Sequence, residues 1–296
     1  MPQIGFVGLG IMGKPMAKRL LEAGHDVICY DINPEPVNEL AAAGARPASS
    51  AQEVAAQSDV IITMLPNSPH CETAILGDDG IAAGAKPGTI VIDMSSIDPT
   101  VTRTIAAALA ARGVIMLDAP VSGGEPRAID GTLSIMVGGP EEAFERVKDI
   151  MLVMGASAVL VGDIGSGNVA KLANQIMVAL HLAAMSEAMV LAAKAGVDPQ
   201  RVYEAIRGGL AGSNVLDAKM PLVLGGNFKP GFRIGLHIKD LQNALDAAHQ
   251  TGVPLPLTSQ VMEVMQALKV WGKDNDDHGG VIQYFERLAG IEVRKS

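Results

Sequence analysis

Ile4-Gly5-Phe6-Val7-Gly8-Leu9-Gly10-Ile11-Met12-Gly13 is the stretch that decides the architecture. An apolar run of strand length passes directly into a G-x-G-x-x-G pattern, and a helical pattern, Gly13 to Ala23, follows and is closed by Gly24. Strand, glycine turn and helix in that order form the setting in which such glycines bind a dinucleotide. The first glycine permits the tight turn, the second lets a pyrophosphate reach the backbone, and the third lets helix pack on strand. The unpaired N–H groups at the helix start attract the anion. A second strand-like run, Asp26 to Tyr30, leads to Asp31, 31 − 13 = 18 residues past the last glycine. A carboxylate there is placed to accept from ribose hydroxyls. The competing reading is a turn that binds nothing, with Asp31 capping a helix. The register of all four features favours a nucleotide held by Gly8, Gly10, Ile11, Met12, Gly13 and Asp31.

Outward from this point, strand-like runs recur at Val60 to Met64, Ile90 to Asp93 and Ile115 to Asp118, separated by helical patterns such as Pro34 to Ala43. That alternation is the signature of a parallel sheet wound with crossover helices. Leu65-Pro66-Asn67 and Ser95-Ser96 each follow a strand, at the carboxyl ends where a ligand lies in such a sheet. For the two serines, capping the helix ahead of Pro99 is an equally weighted alternative. A helix, Pro140 to Met151, and a last strand, Ala158 to Val161, complete this half. Gly167 to Ala195 then reads as one helix of 29 residues, about 43 Å long at the usual rise. Everything beyond is helical in pattern, with loops at Gly208 to Gly212, Gly225 to Gly231, and Pro254 with Pro256. The expectation is an α/β Rossmann-type domain over 1–163 and an all-α domain over 164–296, joined by the long helix.

Composition narrows the partners. A net charge of −9 argues against a nucleic-acid groove or an anionic membrane surface. Aromatic residues are 3% of the chain, so the interior must be built from aliphatic residues and the 15 Met. Cys29 and Cys71 have no paired His or Cys neighbours and read as reduced thiols. The chain opens into a strand without a basic segment and apolar signal core, which points to the cytoplasm. Ile176 to Ala193 is apolar enough for a membrane but holds His181, Ser186 and Glu187, and reads as a buried helix. Its Ala- and Met-rich surface suggests a homo-oligomer, dimer or tetramer. Asp274, Asp276, Asp277 and His278 lack calcium-loop spacing and read as a solvated loop before the last helix, so no metal site is expected.

Five ordered motifs carry a resemblance that spans the chain. They are Gly8 to Gly13 with Met16, then Asp93-Met94-Ser95-Ser96, then Asp118-Ala119-Pro120-Val121-Ser122-Gly123-Gly124, then Gly167 through Gln175, and Lys239-Asp240. Together they resemble the β-hydroxyacid dehydrogenase family, which includes 3-hydroxyisobutyrate dehydrogenase. The resemblance implies that Ser96 and Lys239 lie against a nicotinamide cofactor, and Leu65 and Pro66, at a strand's carboxyl end, are read as cofactor-binding with them. It also implies that Ser122, Gly123 and Gly124 hold the substrate carboxylate and that Lys171 does proton chemistry. The Lys171, Asn174 and Gln175 side chains share one helical face, the last two as substrate-binding amides. From composition alone a lysine on an Ala-rich helix is more often solvated; the motif reverses that weighting. Arg19 and Gln175 depart from asparagines common in the family.

The implied reaction is hydride transfer between NAD(H), with NADP(H) as the second cofactor, and a small aldehyde or hydroxy acid. A lysine ammonium there would give a proton to the carbonyl oxygen. The phrase Asp118 to Asp130 and the stretch Arg207 to Ser213 resemble the subgroup acting on tartronate semialdehyde, implying reduction to glycerate. Oxidation of 3-hydroxyisobutyrate is the alternative within the family, and a non-catalytic dinucleotide-binding module is the alternative outside it.

Overall fold

The structure, a computed structural model, describes residues 2–294. Two compact units divide at Lys171 and Leu172, inside the long helix. In the first unit the chain runs β1 (Ile4–Val7), α1 (Gly13–Glu22), β2 (Val27–Tyr30), α2 (Pro34–Ala42), β3 (Arg46–Pro47), α3 (Ala51–Ala56) and β4 (Val60–Thr63). It continues through α4 (Ser68–Leu76), α5 (Ile81–Gly84), β5 (Ile90–Asp93), α6 (Pro99–Ala110) and β6 (Ile115–Asp118). Then come β7 (Val121–Ser122), α7 (Gly124–Asp130), β8 (Leu133–Gly138), α8 (Glu141–Met154) and β9 (Gly155–Gly162). The Rossmann-like sheet expected from the sequence is present over residues 3–162, followed by an all-helical region that begins with α9 (Ser166–Lys194).

The strand order β3-β2-β1-β4-β5-β6 is parallel throughout and reverses direction between β1 and β4. Alternate residues serve opposite faces. Ile4 and Phe6, Val60 and Ile62, and Ile90 and Ile92 enter one core with α1, α2 and α8. Val7, Ile61 and Val91 enter the other with α3, α4, α5 and α6. Because both faces are covered, these strands are apolar along their length rather than alternating, polar only at the last residues of β4 (Thr63) and β5 (Asp93), which is why they stand out in the sequence.

The sheet departs from the expected parallel pattern beyond β6. There β8 pairs antiparallel with both β6 and β7, and β9 joins β8 in parallel. β8 is not marked as a strand in the sequence because Ser134 interrupts its apolar run and glycines flank it. Its period-2 burial, with Leu133, Ile135 and Val137 inside, is the signal that was available. β9 is also longer than the expected Ala158 to Val161.

From Leu172 the second unit comprises the rest of α9, then α10 (Pro199–Ile206), α11 (Asn214–Leu224), α12 (Ile234–Thr251), α13 (Pro256–Val270), a 3-10 turn (His278–Val281) and α14 (Ile282–Ala289). Ala179, Leu182, Met185, Met189 and Val190 of α9 enter its core. The long helix, read from the sequence as a buried one, is only partly covered within the chain: Val169, Met177 and Leu191 are exposed, and a third of its most apolar stretch is buried. The apolar residues recur all around the helix instead of on one stripe. The acidic stretch before the last helix is likewise not a solvated loop. Asp277 is buried, paired with Lys219 at 2.8 Å, and accepts from the N–H groups of Gly231, Phe232 and Gly279.

Candidate active site

At the carboxyl end of β1 the three glycines differ in what surrounds them. A Cβ on Gly8 would stand 2.4 Å from the Met64 carbonyl oxygen, and one on Gly13 would stand 2.0 Å from that of Gly8. A Cβ on Gly10 would meet nothing within 4 Å. The first and third glycines therefore exist for turn and packing, whereas the second keeps the surface above the turn open. Met12 precedes α1 as its N-cap residue without a side-chain cap bond, and apart from the Lys14 N–H, which donates to the Gly10 carbonyl at 3.1 Å, the N–H groups of the first turn are oriented toward an anion above it. Ile11 is exposed and Met12 half-buried at this turn.

Asp31 is not a helix cap, since Asn33 caps α2 through the Glu35 N–H. Instead the Asp31 carboxylate accepts from the Leu9 N–H at 2.6 Å and from the Asn33 N–H at 2.8 Å. Those bonds fix the carboxylate beside the glycine turn, and each oxygen keeps acceptor capacity for a ribose hydroxyl. An open glycine, an uncapped helix start and a positioned acid fit a dinucleotide.

The helix-capping reading of the two serines does not hold: the cap of α6 is Asp98, accepting from the Thr100 N–H at 2.6 Å. Ser95 is buried and its hydroxyl oxygen accepts from the Leu65 N–H at 2.9 Å, tying the Leu65-Pro66 turn to the end of β5. Ser96 is half-buried one residue on. Beneath them lies Asp93, fully buried, whose Oδ1 accepts from the Thr63 hydroxyl and the Ser95 N–H, while Oδ2 has no hydrogen-bond partner among the described residues. Burial pushes its carboxyl up to about 6, against the lowering effect of the Ser95 and Thr63 hydrogen bonds and with a raising contribution from Asp118.

That shift has a defined sign. Between about pH 4 and 6 the folded chain keeps a proton on Asp93 that the unfolded chain has released. The associated stability is therefore present below about 4 and is lost as pH rises through about 6. Asp93→Asn keeps the acceptor and removes the charge. Melting curves are expected to show the variant level with the parent near pH 3.5 and more stable by on the order of 3 kcal/mol near pH 8. A variant that is less stable at both ends contradicts a buried charge as the cause.

Ser122 ends β7, and Gly123 and Gly124 follow with φ of +142° and +70°. The glycines expose consecutive backbone N–H groups that no side chain of their own obscures, as a carboxylate-holding turn requires. Lys171 lies on α9, six residues into the helix (166 to 171), and is 7% exposed. It is therefore not the solvated lysine that composition favours.

In the helical unit, Asn174 donates through Nδ2 to the Gln175 side-chain oxygen at 2.9 Å, and Gln175 donates through Nε2 to Asp240 Oδ2 at 2.6 Å. Lys239 pairs with the other Asp240 oxygen at 3.0 Å. His237 Nε2 lies 3.1 Å from the Gln175 carbonyl oxygen, and its Nδ1 lies 3.1 Å from His278 Nδ1. An acceptor-only carboxylate at one end thus orients both amides. Gln175 is 4% exposed. Sequence reasoning singled out Gln175 and Asn174 but missed the His237 and Asp240 contacts that hold Gln175; their separations of 62 and 65 residues leave no local pattern beyond the Lys239-Asp240 motif.

Comparison with known proteins agrees with this arrangement. Residues 3–162 match the family described as the NAD binding domain of 6-phosphogluconate dehydrogenase. Residues 165–285 match the one described as NAD-binding of NADP-dependent 3-hydroxyisobutyrate dehydrogenase. The chain is 42% identical over 291 residues to the 2-hydroxy-3-oxopropionate reductase of Escherichia coli strain K12, covering 98% of this chain and 99% of that one. It is 38% identical to the 2-(hydroxymethyl)glutarate dehydrogenase of Eubacterium barkeri, covering 98% and 97%. Among solved structures, the Mycobacterium tuberculosis 3-hydroxyisobutyrate dehydrogenase with L-serine superposes with a TM-score of 0.87 at 35% identity, covering 96% and 99%. With matches spanning both units and a glycine turn and acid built for a dinucleotide, the chain belongs to the NAD(P)-dependent β-hydroxyacid dehydrogenase family.

Proposed function

We propose that the protein reduces tartronate semialdehyde to glycerate with NADH, Lys171 supplying the proton. The observation that carries the reading is the burial of Lys171 at the start of α9, in the same compact unit as the glycine turn and Ser122 to Gly124. Bound NADH supplies a hydride to the carbonyl carbon. Charge then develops on the carbonyl oxygen, and the Lys171 ammonium donates its proton there; in the oxidising direction the neutral amine takes the hydroxyl proton. Ser122 and the backbone of Gly123 and Gly124 hold the carboxylate, which limits the ways the substrate can sit. Asn174 and Gln175 continue the polar face of α9 that Lys171 begins.

The choice of substrate is supported by the two linked amides and by the identity to the Escherichia coli reductase. Oxidation of 3-hydroxyisobutyrate is the alternative. The direct test is product analysis: one glycerate formed for each NADH consumed supports the reading, and no turnover of tartronate semialdehyde contradicts it.

NADH rather than NADPH follows from Asp31, which sits against the turn with no Lys or Arg from Asp26 through Ala45. A 2′-phosphate there would meet a fixed negative charge. Asp31→Ser is expected to lower catalytic efficiency with NADH by roughly tenfold or more while raising it with NADPH, since the residue both accepts from the ribose and repels the phosphate. Parallel steady-state assays with both cofactors measure this. A parent enzyme that already prefers NADPH contradicts the assignment.

A further inference from the structure

We propose that Asp118 and Asn168 are positioning residues that fix the start of α9, and with it Lys171, to the strand end from which the Ser122 to Gly124 turn departs. Asp118 is the last residue of β6 and is fully buried. Its Oδ1 accepts from the Gly165 N–H and its Oδ2 from the Asn168 N–H, both at 2.7 Å. One carboxylate thus takes two N–H groups at the head of a 29-residue helix, where the helix leaves them without internal partners. The Asn168 side chain makes a second tie. Its Oδ1 accepts from the Ile97 N–H at 3.1 Å and its Nδ2 donates to the Thr102 hydroxyl at 3.2 Å.

The surrounding glycines are explained by the same anchor. A Cβ on Gly167 would stand 2.5 Å from the carbonyl oxygens of both Asp118 and Met136, and one on Gly138 would stand 2.4 Å from Asp118 Oδ1. Backbone therefore packs on backbone at this junction, with the carboxylate as the joint. Burial holds the Asp118 carboxyl above its usual range even though the Asn168 and Gly165 N–H groups and the Arg103 charge pull it down. A buried carboxylate is a costly way to start a helix, and a serine or threonine cap would satisfy the same N–H groups.

What the carboxylate adds is reach and charge. Ser122 follows Asp118 by four residues and Lys171 follows Asn168 by three, so one joint sets both the turn and the proton donor. Its negative charge also offsets the positive end of the α9 dipole one turn from Lys171.

The inference rests on the proton role given to Lys171, and the experiment separates the two. Asp118→Asn is nearly isosteric but loses the charge and one acceptor. It is expected to lower kcat by roughly tenfold or more through misplacement of the donor, with the NADH Kd, read by fluorescence titration, within about twofold of the parent. The basic limb of its kcat profile should move to lower pH by on the order of half a unit to one unit. Asn168→Ala keeps the charge and loses the second tie, so its kcat should fall while the limb stays in place. A Lys171→Ala variant without turnover beside an Asp118→Asn variant with parental kcat and pH limb overturns the anchor alone. Full turnover in Lys171→Ala overturns the lysine reading and the anchor together. If Asp118→Asn does not fold, parental kcat in Asn168→Ala overturns the proposal and a reduced kcat with unchanged NADH affinity supports it.

Discussion

Lys171→Ala is expected to lower kcat for aldehyde reduction by a hundredfold or more, and to leave NADH affinity nearly unchanged. The size follows from the site. Lys171 is buried, so bulk water has little access to replace it, and an alkoxide left without a proton donor in such surroundings is costly. Only the step that moves the proton loses its partner, because the glycine turn and Asp31 lie on other elements of the same unit. Loss confined to kcat marks an interaction made in the transition state, whereas a matching rise in KM with kcat intact would mark lysine as a binding group only. Steady-state NADH oxidation and a separate NADH titration distinguish these outcomes, and near-parental kcat would require another donor.

The cofactor half of the site was legible because its determinants are local. β1, three glycines, α1 and Asp31 fall within 28 residues of sequence (4 to 31), and each has a physical reason to be where it is. Sandwiched strands such as β4 and β5 were legible for a different reason, being apolar at every position but the last. The elements that were not legible depend on long-range pairing. β8 is a strand because β6, β7 and β9 flank it, not because Leu133-Ser134-Ile135-Met136 is a strong pattern.

The supports of the site were hidden in the same way. Asp118 and Asn168 appear in the motifs quoted from the sequence, but their bonds span 47 to 71 residues. Asp277 reads as solvated because its neighbours are acidic; only the folded chain brings Lys219 and the Gly231 and Phe232 N–H groups onto it. Ser95 could be weighed but not decided until Asp98 proved to be the cap of α6.

Selectivity between a hydroxyl and a methyl beside the substrate carboxylate is where the account is most exposed. Asn174 and Gln175 are linked amides on the face that Lys171 begins, and Asp240 fixes which end of each amide donates. Under the proposed function a substrate hydroxyl docks against these amides and adds a hydrogen bond that a methyl cannot make. Sites built to hydrogen-bond a hydroxyl reject the analogue lacking it by as much as about 10⁴-fold. The decisive measurement is catalytic efficiency on tartronate semialdehyde against methylmalonate semialdehyde, with NADH under one set of conditions. The account predicts that tartronate semialdehyde is favoured by at least on the order of a hundredfold, and equal or better efficiency on methylmalonate semialdehyde would contradict it.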